Sequence, residues 1–163
     1  MSNKESHEDS CNLFDPALWD EKVHQWSDKL FIKDSLPQIF HIPLPGTYPR
    51  TINRLWKLAQ DDKAAPDMKD FLMLAYDPSP WKSDIYINVT HEVPNANNVR
   101  LSGKFISKVF DGPFSKVPGY IRDMDLYLAG QHQVAAKYYF YFATCPKCAK
   151  KYGHNYMVAF AEV

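Results

Sequence analysis

The sequence predicts an α+β fold in which two pseudo-symmetric strand-helix-strand-strand repeats form a curved antiparallel sheet with a central ligand cleft. Three observations carry this expectation. The order strand, helix, strand, strand occurs twice in 163 residues, the length of a single domain or of two halves sharing one core. Short correspondences tie the copies together at a nearly constant offset: Gly46 with Gly112 before each helix, Asp77-Pro78 with Cys145-Pro146 after each middle strand, and Tyr86 to Val93 with Tyr156 to Val163 at each end. Aromatic residues make up 15% of the chain, with ten Tyr and four Trp, whose polar atoms suit a surface that receives a ligand as well as a core.

Residues 1–13 are polar and acidic and read as a frayed tail. Asp15-Pro16 offers a capping residue followed by a proline at the first helical position, and Trp19, Val23, Trp26 and Leu30 recur at helical spacing. The expectation for 1–37 is therefore a tail and one amphipathic helix. A domain over 38–163 then holds a first repeat at about 38–93 and a second at about 101–163. In the first, Gln38 to Ile42 is a short extended run closed by Pro43-Leu44-Pro45-Gly46. Ile52, Leu55, Trp56 and Ala59 share one face of a helix over 49–60, and Phe71 to Tyr76 and Asp84 to Glu92 are strands joined across Asp77-Pro78-Ser79-Pro80. In the second, Leu101 to Phe110 is a strand and Asp111-Gly112-Pro113-Phe114 a turn. Val117, Tyr120, Ile121, Met124 and Leu128 mark a helix ended by Gly130. Lys137 to Thr144 is a strand, Cys145 to His154 a connection, and Asn155 to Val163 the last strand.

Several function classes fall away on composition. Nineteen Lys plus Arg balance nineteen Asp plus Glu, which leaves no electrostatic footprint for a polyanion, so nucleic acid is not an expected partner. With 45% hydrophobic and 23% charged residues the chain can bury a sizeable core. No stretch of signal-peptide length opens the sequence and no run is apolar enough to span a bilayer, so a cytoplasmic protein without membrane contact is expected. A Gly-rich phosphate loop, a Gly-x-Ser-x-Gly elbow, a His-Glu-x-x-His motif and a DNA-binding helix-turn-helix are all missing. Nucleotide-dependent and metalloprotease chemistry are disfavoured, and no cofactor is expected.

A Gly-bearing turn before each helix, the Tyr76-Asp77-Pro78 turn after a middle strand, and the duplicated order together resemble the GyrI-like small-molecule-binding superfamily. More narrowly, 109–114 (Val-Phe-Asp-Gly-Pro-Phe) and 139–153, which contains Thr144-Cys145-Pro146-Lys147-Cys148-Ala149-Lys150-Lys151-Tyr152-Gly153, resemble a branch of small bacterial proteins labelled hydrolases. The resemblance covers 38–163. It implies binding of bulky aromatic or cationic compounds in an aromatic cleft and, in part of the group, hydrolysis of the cyclopropane ring of DNA-alkylating natural products, a detoxification. The Cys-Pro-Lys-Cys segment departs from the superfamily at large.

The end strands carry the candidate chemistry. Along the first, Tyr86, Asn88, Thr90 and Glu92 alternate with the apolar Ile85, Ile87 and Val89; along the last, Tyr156, Val158, Phe160 and Glu162 share a face. Glu92 and Glu162 are candidate general bases, or acids that neutralise a cationic ligand, with Tyr86 and Tyr156 as hydroxyl donors to developing charge. Of the two, Glu92 is favoured as base, with a raised pKa against aromatic walls, because Glu162 is penultimate. The alternative is that these residues merely face solvent. Tyr138-Tyr139-Phe140-Tyr141-Phe142 is aromatic on both faces; Tyr139 and Tyr141 share one, and with Trp56, Trp81 and Phe160 they could hold a planar aromatic ligand or a cation. The alternative is plain core.

Cys145 and Cys148 with His154 offer three zinc ligands, a fourth being sought among His91, His132 and Cys11. A thiol redox role and a turn-shaping role are the other readings, and the last is preferred, with no metal. The expected function is a cofactor-independent hydrolase of planar aromatic electrophiles, or a non-catalytic module that sequesters aromatic or cationic compounds with the same residues.

Overall fold

One turn of 3-10 helix at Pro16–Leu18, where the Asp15 carboxylate accepts the Ala17 N–H at 3.0 Å, is all the helix that the described N-terminal segment forms. Beyond it, in this computed structural model, Lys22–Ile39 is a single long strand, β1, which corrects the expected amphipathic helix. The helical spacing of Trp19, Val23, Trp26 and Leu30 is coincidental: Val23 is 61% exposed. Asp28, at φ +51°, shifts the side-chain alternation by one residue, so Trp26 before it and Phe31 after it meet with ring centroids 6.0 Å apart. Strand pairing overrides the weak local helical pattern. The structure describes residues 14–144 and 146–163; the tail 1–13 and Cys145 lie outside them.

The chain forms two compact units, one from Trp26–Ser102 and one from the residues up to Gln25 together with Gly103–Val163. We call them the middle and terminal units. In the middle unit β1 turns through Phe40-His41, both in the left-handed region at φ +49° and +67°, into the short strand β2 (Ile42–Pro43). Helix α1 (Thr47–Asp61) follows, then the hairpin β3 (Met73–Ser79) and β4 (Lys82–Asn88), with order β2-β1-β4-β3 and every neighbour antiparallel. The turn falls at Pro80-Trp81 rather than across 77–80, and β3 accommodates Pro78 through an irregularity between Tyr76 and Ser79. Ile32, Leu36, Ile85 and Ile87 are buried on one face. Arg54 of α1 pairs with Asp34 on that face and so places the helix there.

In the terminal unit β7 (Tyr156–Glu162) lies between the latter half of β5 (Asn97–Asp111) and β6 (Lys137–Phe142), again antiparallel on both sides. Helix α2 (Val117–Ala129) packs Met124 and Leu128 against Ile106 and Ala161, with Phe110, Tyr127 and Tyr138 around them. The expected connection after β6 contains a short helix, α3 (Pro146–Tyr152). The order strand, helix, strand, strand is thus realised twice, giving an α+β fold with antiparallel strands. Among the described residues no helix is long and apolar enough to cross a membrane.

Candidate functional site: an aromatic strand face

Register decides which aromatic side chains work together. In the terminal unit Tyr139 is paired with Phe160 and Tyr141 with Val158, so Tyr139, Tyr141, Tyr156, Phe160 and Glu162 all lie on the face opposite α2. Tyr138, Phe140 and Phe142 point the other way, and Tyr138 packs in the helix-side core. The interior of the aromatic face is closed: Phe160 is fully buried and Tyr139 is 3% exposed against Phe105, at 6.1 Å. Phe160 is covered by Trp19 at 5.8 Å and His24 at 5.5 Å. At its other end Phe14 contacts Tyr156 at 5.4 Å and Tyr141 at 6.3 Å, and Trp19 meets Tyr141 edge-on at 6.2 Å. Four half-buried rings, Phe14, Trp19, Tyr141 and Tyr156, therefore form one aromatic cluster that carries two phenolic hydroxyls.

The N-terminal segment is tied down there. Ser107 Oγ donates to the Trp19 carbonyl at 2.6 Å, the Val109 N–H donates to Asp20 at 3.0 Å, and Lys108 pairs with Glu21 at 3.0 Å. Burial pushes the Tyr141 hydroxyl up to about 12, so it is a neutral donor. Past the Tyr156 end, His154 stacks on the Tyr156 ring with centroids 5.1 Å apart and planes 10° from parallel. Its Nδ1 lies 2.7 Å from Asp111 Oδ2.

Tyr156 and Glu162 do not serve one small reacting centre: six residues along a strand separate them by about 20 Å. Glu162 instead occupies the rung with Phe105 and Lys137.

The middle-unit candidates are scattered. Strand β4 ends at Asn88, whose side chain is taken up by the Leu72 N–H at 2.7 Å and the Asp70 carbonyl at 2.8 Å, so the expected alternation does not reach Glu92. The Glu92 carboxylate is two-thirds exposed and pairs with Arg100 at 3.3 Å, rather than facing aromatic walls. Trp81, 55% exposed, sits at the hairpin tip against Phe40, and Trp56 lies on α1 with its ring edge-on to Phe71 at 5.3 Å. Tyr86 is 7% exposed on the face away from α1.

Beside Tyr86 is a cluster the sequence did not single out. Asp84, whose side chain is 5% exposed, accepts the Ser35 hydroxyl at 2.6 Å and lies 3.3 Å from Lys33 and 3.5 Å from Lys82. Lys33 Nζ also stands 5.6 Å from the Tyr86 ring centroid. Burial, and after it the Asp84 charge and Tyr76, pushes the Tyr86 hydroxyl up to about 12. The signal available in sequence was the alternation Lys33, Ser35 against Asp84, Tyr86, which acquires meaning only once the register pairs them.

Cys148 is 6% exposed in α3 and disulfide-bonded, so it is neither a thiolate ligand nor the free packed thiol expected; Cys145 and Cys11 lie outside the described residues.

Structural comparison places this fold among known ones. A hydrolase from Listeria innocua superposes with a TM-score of 0.63 at 10% identity, covering 98% of this chain and 98% of that one. The C-terminal domain of EcmrR gives 0.61 at 10% identity over 89% and 97%, and an uncharacterized conserved protein from Listeria innocua gives 0.60 at 10% identity over 87% and 91%. At these identities the likeness is one of fold. No curated protein matches the chain. The family match reaches further than the 38–163 resemblance, because it includes the segment that supplies Phe14 and Trp19: residues 1–163 match the model described as bacterial hydrolase, and the chain belongs to that family.

Proposed function

We propose that this protein binds a planar, hydrophobic aromatic molecule against the aromatic cluster of Phe14, Trp19, Tyr141 and Tyr156, and adds water to it. The observation that carries the reading is that these four half-buried rings converge on the strand face opposite α2, with ring centroids 5.4 to 6.3 Å apart. Rings so spaced touch one another, so a flat guest would be received on the outward faces and edges of the cluster. Membership of the bacterial hydrolase family supports turnover rather than storage.

The substrate class is the one that the family resemblance implies, and the chemistry of the site is compatible with it. The Tyr141 phenol is a neutral donor, suited to a carbonyl on which negative charge develops. A strained cyclopropane conjugated to such a carbonyl needs only a positioned water and a proton acceptor, without a cofactor. Water addition destroys the electrophile, so the biological consequence is protection from alkylating natural products. Glu92, paired with Arg100 in solvent, takes no part.

Incubation with a naphthalene-fused spirocyclopropyl dienone, followed by mass spectrometry, tests the reading. Protein-dependent gain of one water, and weaker binding of the naphthol product by Tyr141→Ala, are expected. Binding without turnover would make the protein a sequestering module, and full affinity in a folded Tyr141→Ala variant would remove the site.

A further inference from the structure

We infer that His154, held by Asp111, is the general base that activates the attacking water at the Tyr156 end of the aromatic face. This rests on the hydrolytic reading above and supplies the catalytic residue that reading lacks.

Three features separate this imidazole from an ordinary surface histidine. Its Nδ1 is committed to Asp111 Oδ2 at 2.7 Å, which leaves Nε2 as the nitrogen that exchanges a proton with water; among the described residues Nε2 makes no hydrogen bond. The ring stacks on Tyr156, which also contacts Phe14 of the aromatic cluster. Asp111 is fixed in turn: its Oδ1 accepts the Asn155 N–H at 2.8 Å, Asn155 Nδ2 donates to the Gly112 carbonyl at 2.7 Å, and the Gly112 N–H donates to the Asn155 carbonyl at 3.2 Å. Burial would raise the Asp111 carboxyl, but the hydrogen bonds from His154 and the Asn155 N–H, with the imidazole charge, outweigh it and lower it, so the orienting group stays ionised.

The other histidine-aspartate pairs lack this combination. His91 spends both nitrogens, Nε2 on Asp62 and Nδ1 on Thr90. His41 pairs with Asp77 at 3.0 Å in the middle unit, on the turn that carries the 70% exposed Phe40.

The step balances without an external reagent. His154 Nε2 takes a proton from water as its oxygen bonds to the methylene carbon of the strained ring. The ring carbon-carbon bond breaks, and its electron pair moves through the conjugated system onto the carbonyl oxygen. That oxyanion takes up a proton while the imidazolium releases one, so the net change is addition of one water. Asp111 acts as a positioning residue that holds the ring.

The test measures turnover of the naphthalene-fused spirocyclopropyl dienone, and separately the affinity for its naphthol product, in full-length protein. His154→Gln should lower kcat roughly a hundredfold or more with product affinity unchanged, and Asp111→Asn should lower kcat without raising KM. His91→Gln should behave as wild type. In His154→Gly, added imidazole should restore part of the rate, which a purely structural role would not allow. Wild-type turnover in a folded His154→Gln variant overturns the inference and leaves the hydrolase reading standing. Absence of turnover in the unsubstituted protein overturns both.

Discussion

His24 Nε2 lies 2.7 Å from Ser107 Oγ, and the Ser107 hydroxyl donates to the Trp19 carbonyl at 2.6 Å. A hydroxyl has one proton, so with that proton on the carbonyl the imidazole must donate, and His24 therefore carries its proton on Nε2. This is a fastener between the N-terminal segment and β5, not a nucleophile with its base. Ser107 is completely buried. Ser107→Ala should cost about 1–3 kcal/mol, measured by urea denaturation, because it strands two polar partners. An unchanged urea midpoint in Ser107→Ala would show that this fastener is dispensable.

Asp84 is a buried carboxylate matched by two lysines and a serine hydroxyl. Removing it leaves Lys33, whose side chain is only 25% exposed, without its counter-charge. Asp84→Ala should therefore destabilise by about 3 kcal/mol, and Asp84→Asn by less because the Ser35 hydrogen bond survives. Equal midpoints for the two variants in chemical denaturation would contradict this.

Alkaline pH should unfold the protein in a defined window. The hydroxyls of Tyr86 and Tyr141 are raised to about 12, whereas an unfolded tyrosine titrates near about 10. Between those values the unfolded chain has released protons that the folded chain still binds. The stabilisation is complete below about 10 and is lost as pH rises towards about 12. Circular dichroism melts should show this fall, and Tyr86→Phe with Tyr141→Phe should flatten it.

Gly112 admits no side chain, since a Cβ there would collide with the Tyr120 hydroxyl. Gly112→Ala must displace Tyr120 from its stack on Phe110 at 4.7 Å, at a cost of about 1–3 kcal/mol. The same backbone carries the Asn155 bonds that fix Asp111, so turnover should fall more than stability alone explains. Wild-type activity in a folded Gly112→Ala protein would show that this bracing of Asp111 is dispensable.

The amino-acid sequence by itself determined the elements whose signal is local. The helix marked by Tyr120, Met124 and Leu128 forms over Val117–Ala129 because residues on one helical stripe are neighbours within a few positions. The last strand forms over Tyr156–Glu162, and Tyr139 with Tyr141 share a face because alternation is a property of the strand alone. What the tertiary structure decided is which residues meet across the sheet. Trp19 and Trp26 fit a helical spacing, yet the chain from Lys22 is drawn into the long strand β1 by pairing with β5 and, from Phe31 onward, with β4. Glu92 loses its expected face because β4 gives way at Asn88 to side-chain hydrogen bonds with Leu72 and Asp70. Asp111 and His154 are 43 residues apart in the chain and form a pair only because β5 and β7 align in one register. Such contacts depend on the summed burial and pairing energy of whole strands, which no short stretch of sequence contains.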